Sequence, residues 1–273
     1  MLEIFEYDFM VRAFIVGILC AIVTAVVGNF LVASRQAVIS DMLAHTSLAG
    51  VGLGIFLHFS PNILGAAIAV FASVLLFFLN RQKKIPPEAI SMLLLTGGLA
   101  VALLFAHFSK DNPLSLESFL FGSLLTTTTN EVLFFGILGS FILVFLFLFW
   151  NRFLCRLLDT DFFASRFPRG EYWEVFFLVI VGILVAFSLK IIGGLLISAL
   201  LVIPVITAQT VANSFRTSVA WSVGINILGV IMGLFFSFYQ DIPSSSAIVL
   251  SLIGLFLVFF LSGSYAYWMR TIR

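Results

Sequence analysis

Asp41 and His45 stand four residues apart in the stretch SDMLAHTSLAGVG, residues 40–52, within a chain dominated by apolar runs. In a helix that spacing places a carboxylate and an imidazole on one face. A carboxylate oxygen and a neutral imidazole nitrogen suit Zn²⁺ and, less selectively, Mn²⁺. Each side chain is costly in hydrocarbon, so an ionisable residue inside an apolar segment points to function. Ser40 and Asp41 also have a plain alternative role as helix caps, because both types satisfy free N–H groups at a helix start. His45, one turn deeper, has no such alternative. Two ligands fall short of a tetrahedral zinc set, and a two-fold homodimer would bring a second Asp41 and His45 to the same axis. Ala44, Ala49, Gly50, Gly52 and Gly54 follow, small enough to admit a neighbouring helix or a hydrated path.

The elements that must position this pair are membrane helices. Of the 273 residues, 62% are hydrophobic and only 10% charged, and the mean hydropathy is +1.19, far from the composition of soluble domains. The net charge of +1 and the absence of a basic stripe exclude nucleic acid as a partner. Apolar runs long enough to cross a hydrocarbon core of about 30 Å occupy residues 9–32, 42–58, 63–79, 90–107, 132–149, 173–189, 195–212, 219–238 and 247–267. Residues 114–125 are too few to cross and read as a re-entrant or surface helix on the outer side. The expectation is an all-α membrane protein, a polytopic bundle of eight to nine spans plus that short helix, in a single domain over residues 1–273.

Orientation follows from the basic residues. Arg81, Lys83 and Lys84, then Arg152, Arg156, Arg166 and Arg169, then Arg216, and finally Arg270 and Arg273 fall in alternate connections. The positive-inside rule makes all four cytoplasmic. Arg35 joins that side, and the acidic N-terminus, with Glu3, Glu6 and Asp8, faces outside. Those acids stand where a secretory signal carries Lys or Arg, so the first apolar run reads as a retained helix.

Other residues invite weaker readings. His58 and His107 fall near the outer surface, at depths close to Asp111 and Asp241, as a possible cation entrance. Pro204, after Gly193 and Gly194, should break or kink its helix, with Ser198, Thr207 and Gln209 as pathway hydroxyl and amide groups. Cys20 and Cys155 form no CxxC pair and read as small apolar residues. Residues 151–171 contain DTDFFASRFPRGE, an amphipathic cytoplasmic segment suited to docking a partner. There is no GxxxxGK[ST] phosphate loop, so ATP hydrolysis would fall to another chain. No HExxH supports an intramembrane protease.

Four stretches, FEYDFMVRAFIVGIL, SDMLAHTSLAGVGLG, GGLLISALLVIPVITA and DIPSSSAIVLS, together resemble the permease subunits of bacterial zinc and manganese ABC importers. The second is the most specific, with its Asp, three residues, His and a following Gly, and its neighbouring residues look most like the zinc branch. The resemblance implies a non-enzymatic transport subunit in a bacterial inner membrane, working as a homodimeric or paired core. It implies a cytoplasmic ABC ATPase on each half, an extracytoplasmic metal-binding protein, and transported Zn²⁺ or Mn²⁺ with no permanently bound cofactor. Asp41 and His45 match the family's pathway ligands. Asp161, Ala164 and Gly170 fall where the family places its ATPase-coupling loop, although Pro168 intrudes and Ser245 or Ser246 stands where the family often has Gly. The competing class is an ATP-independent carrier or channel using Asp41 and His45 as a proton relay; the inverted repeats common in such carriers are not visible.

Overall fold

The computed structural model describes residues 6–82, 84–109, 116–167 and 170–271. Its helices are α1 (Asp8–Ala33), α2 (Val38–Phe56), α3 (Pro61–Arg81), α4 (Pro87–Phe108), α5 (Leu116–Phe121), α6 (Thr129–Leu148), α7 (Trp150–Leu158), α8 (Thr160–Arg166), α9 (Glu171–Ile192), α10 (Gly194–Gln209), α11 (Phe215–Gln240) and α12 (Ser244–Thr271). A 3₁₀ turn at Leu124–Thr126 joins α5 to α6, and the described residues contain no strand. Among the described residues, eight helices are long and apolar enough to span a bilayer. The seventh expected span corresponds to α10, which has 16 residues. At about 1.5 Å per residue it measures roughly 24 Å, short of a full hydrocarbon core.

Burial sorts the helices into a centre and a sheath. In their most apolar stretches α2 is 78% buried and α4 only 17%. Thus α2 runs through the middle, packed on α3, α4, α9 and α10, while α4 covers it and turns its other side outward. α5 touches α2, α9 and α10, and its Phe119 is buried. The short helix is therefore packed on the bundle.

Chain punctuation follows local chemistry. Pro61 and Pro87 open their helices, where a missing N–H costs nothing. Thr128 with Glu131, and Ser214 with Thr217, form capping boxes for α6 and α11. Gly193 (φ +90°) separates α9 from α10, and Gly122 (φ +56°) follows α5. The two glycines lie backbone to backbone, so a Cβ on either would collide with the other segment. Ser245 Oγ donates to Phe121 O and lies 3.3 Å from Ile192 O, pinning both breaks to the start of α12.

Helix α1 ends in a Schellman-type turn, with Gln36 N donating to Leu31 O (2.9 Å) and Arg35 N to Val32 O (3.0 Å). The left-handed position, normally Gly or Asn, holds Arg35 at φ +57°, at a cost of about 1 kcal/mol. Its neighbours form an aromatic knot: Phe30 sits 5.0–6.2 Å, centroid to centroid, from Trp150, Phe153, Phe177 and Phe215. The knot holds the amphipathic α7 across the ends of α1, α9 and α11. Arg35, Arg152, Arg156 and Arg216 therefore gather at one end of the bundle, which we call the basic end.

Inside, α1 and α11 are joined by a polar ladder. Asn29 Nδ2 donates to Ser222 Oγ (2.6 Å) and Ser218 Oγ donates to Asn29 Oδ1 (2.8 Å). Higher up, Asn226 Nδ2 reaches Ala21 O (2.9 Å), Thr24 Oγ1 (3.0 Å) and Leu200 O (3.1 Å). Leu200 O is the carbonyl that Pro204, lacking an N–H, leaves without its helical donor. The proline break is thus stabilised by an amide from a different helix.

Candidate functional site

Asp41 lies in the first turn of α2, whose N-cap is Ala37 and makes no side-chain cap bond. The capping alternative therefore fails: the helix starts three residues before Asp41, and Ser40 Oγ donates to Ala37 O (2.8 Å). Asp41 is exposed and His45 half-buried on a helix otherwise almost wholly enclosed. Val38, Asp41 and His45 form a strip at helical spacing that the described residues leave at least partly uncovered. The Asp41 charge is close enough to act on the imidazole. Asp41 accepts no hydrogen bond and forms no salt bridge among the described residues, and His45 Nδ1 is buried without a partner. An unpartnered nitrogen beside a free carboxylate is an arrangement able to take a cation.

The back of the pair is fixed by glycine. A Cβ at Gly98 of α4 would lie 2.9 Å from the Thr46 backbone N and Cα and 3.0 Å from the His45 carbonyl carbon. Only a bare backbone lets α4 approach this closely and press His45 towards the open strip. Gly50 meets Leu64 and Gly65, Gly52 meets Ala102, and Gly54 meets Pro61. These glycines serve helix packing. Ala44 faces Gly194, where a Cβ would sit 3.7 Å away, so α10 begins beside the strip.

The remaining candidates fare unevenly. Ser198 is partly exposed and spends its hydroxyl on Gly194 O and Leu195 O, at 3.3 and 3.2 Å. Thr207 is fully buried and bonded to Ile203 O (2.7 Å), whereas Gln209 is exposed at the end of α10 beside Asn29 and Ser218. His58, His107 and Asp241 are exposed, and no three His, Cys, Asp or Glu residues among those described are grouped to hold a metal. Asp111 lies outside the described residues. Cys20 and Cys155 are both free.

In the 151–171 segment, Asp161 and Ala164 lie on α8; their side chains, and all of Pro168 and Arg169, are outside the described residues. Asp159 Oδ1 accepts from Phe162 N (2.8 Å) and caps α8. Gly170 is buried against Phe163, where a Cβ would sit 2.8 Å from the ring. Two ion pairs escaped the sequence reading: Arg156 with Glu174 at the basic end, and Lys190 with Glu131 (2.6 Å) at the opposite end. The T-x-x-E capping pattern was a readable signal for Glu131, but nothing in the sequence indicated its distant partner.

The fold and the site define a polytopic helical membrane protein with a carboxylate–imidazole pair opening from its central helix. Residues 6–263 match the ABC 3 transport family, and the chain belongs to it. It is 24% identical over 252 residues to the high-affinity zinc uptake system membrane protein ZnuB of Haemophilus influenzae, covering 92% of this chain and 97% of that one. It is 22% identical over 256 residues to the manganese transport system membrane protein MntC of Listeria monocytogenes, covering 94% and 91%. The fold matches PsaBC from Streptococcus pneumoniae, solved in complex with Fab, with a TM-score of 0.82 and 22% identity over 95% of this chain and 92% of that one.

Proposed function

We propose that this chain is the membrane permease of an ATP-binding-cassette importer for divalent metal, Zn²⁺ ahead of Mn²⁺, with Asp41 and His45 as ligands along the path. The observation that carries this reading is the open strip on α2: among the described residues, a carboxylate with no bond and a buried imidazole nitrogen with no partner, on the most enclosed of the spanning helices. The metal is cargo. A weak site suits it, because an ion must leave as readily as it enters.

A second copy related by a two-fold axis would face this strip and double its ligands to four. The exposed Leu195 at the start of the adjoining α10 suits the apolar rim of such an interface. The basic end faces the cytoplasm, which puts the N-terminus outside and the C-terminus inside. There α8 and Gly170 serve as the docking point for an ATPase subunit, which supplies the hydrolysis this chain has no phosphate loop to perform. An external metal-binding protein delivers the ion at the opposite end.

The test is zinc uptake into proteoliposomes holding this chain with its ATPase, with Mn²⁺ as competitor. Uptake should require ATP and fall in Asp41→Ala and His45→Ala while both variants insert normally. Uptake driven by a proton gradient without ATP would replace this reading with a secondary carrier.

A further inference from the structure

We propose that the cavity at the basic end between α1, α7 and α9 binds the phosphate of an anionic phospholipid head group. The cavity measures about 310 Å³, and its walls include Arg35, Gln36, Arg156 and Glu174 over Phe153 and Trp173. Its charges do not cancel. Arg156 pairs with Glu174, and Gln36 Nε2 donates to the other oxygen of that carboxylate at 3.4 Å. That leaves Arg156 Nη1 buried with no acceptor and Arg35 with no salt bridge among the described residues. Two guanidinium groups against one carboxylate leave one positive charge and an orphaned N–H donor, the complement of a phosphate oxyanion.

The backbone supports the same conclusion. Arg35 occupies a left-handed turn position where Gly would be at ease, so its side chain has a use that offsets the strain. The surroundings favour lipid over a soluble anion. Phe30, Phe153 and Phe177 make an apolar floor that suits the glycerol and acyl part of a lipid and repels bare phosphate. Next to it, Arg152 stacks over Trp173 and Phe149, with its Cζ 4.8 and 5.2 Å from the ring centroids. Arg and Trp at the ends of apolar helices mark head-group level, and basic pockets between helices at such a level take anionic head groups.

The full chain, purified in detergent, is incubated with mixed micelles of phosphatidylglycerol or of phosphatidylcholine, and the retained lipid is counted by native mass spectrometry. The wild type should retain phosphatidylglycerol preferentially. Arg35→Gly, which suits the left-handed backbone, should lose about fivefold in that retention with its melting temperature unchanged or raised. Arg35→Asn, also tolerated there, should behave alike. Equal retention of the two lipids by the wild type, or unchanged phosphatidylglycerol retention in both variants, overturns the site. Displacement of the lipid by inorganic phosphate at equal concentration assigns the cavity to a soluble anion and overturns the lipid reading.

Discussion

Two groups of polar side chains lie within the helical bundle, and they are treated in opposite ways. The ladder of Asn29, Ser218, Ser222 and Asn226 between α1 and α11 is buried and bonded helix to helix, with Asn226 Oδ1 the one side-chain atom of the four left without a partner. Asp41 and His45 on α2 are left open, with neither side chain hydrogen-bonded among the described residues. A polar group in hydrocarbon is stable when its donors and acceptors are met. The ladder meets that condition inside one chain for every side-chain donor and acceptor but Asn226 Oδ1, and it holds the break at Pro204 in place. The α2 pair does not meet it alone, which is the property expected of groups reserved for a passing ion or a second copy.

The contrast can be broken by experiment. The largest effect is expected at the open pair: His45→Ala should lower metal uptake by about a hundredfold or more, since in a two-fold pair it removes both imidazoles, two of the four proposed ligands, where even an outer-shell partner is worth about 10–100-fold. Its unfolding midpoint should stay within about 2 °C of wild type. The ladder should respond the other way round. Asn226→Ala should destabilise the purified chain by about 2–3 kcal/mol, read by denaturant titration in detergent, while uptake per folded molecule holds within about twofold.

A subtler test joins the ladder to the proline break. If Asn226 serves Leu200 O, then Pro204→Ala restores an N–H to that carbonyl and should recover about 1 kcal/mol in the Asn226→Ala background. In the wild-type background the same change should give less, and a strictly additive pair would separate the two residues. The smallest effect is expected at Ser198, whose hydroxyl, among the described residues, bonds its own helix. Ser198→Ala should change stability by no more than about 0.5 kcal/mol, and a large loss of uptake would move Ser198 into the open group.

Most of the helices were legible because length and hydropathy are properties of contiguous residues, as at α1, α9 and α11. α10 was harder. Its run of 18 residues, 195–212, looked like a full span, yet its last turn ends at Gln209 and Gly193 sets it directly against α9. α5 could be recognised as too short to cross, but where it packs depends on contacts with α2, α9 and α10. Asp41 and His45 stood out because unexplained polarity in an apolar run is visible locally. Arg35 did not, because it looked like an ordinary orienting charge until the turn after α1 showed it in a left-handed backbone.

Periodicity is local, so the order of residues alone determined that this chain is a bundle of membrane helices and that Asp41 and His45 share a face one turn apart. It also determined where prolines and capping boxes begin helices, since those signals act within four residues. Only the tertiary structure decided that this face is the open one, because that depends on which neighbours cover α2. The same holds for the Asn226 amide meeting the carbonyl freed by Pro204, and for Arg35 and Arg156 sharing one cavity. Such pairings lie tens to hundreds of residues apart and are set by packing, on which a hydropathy pattern imposes only a direction, inward or outward.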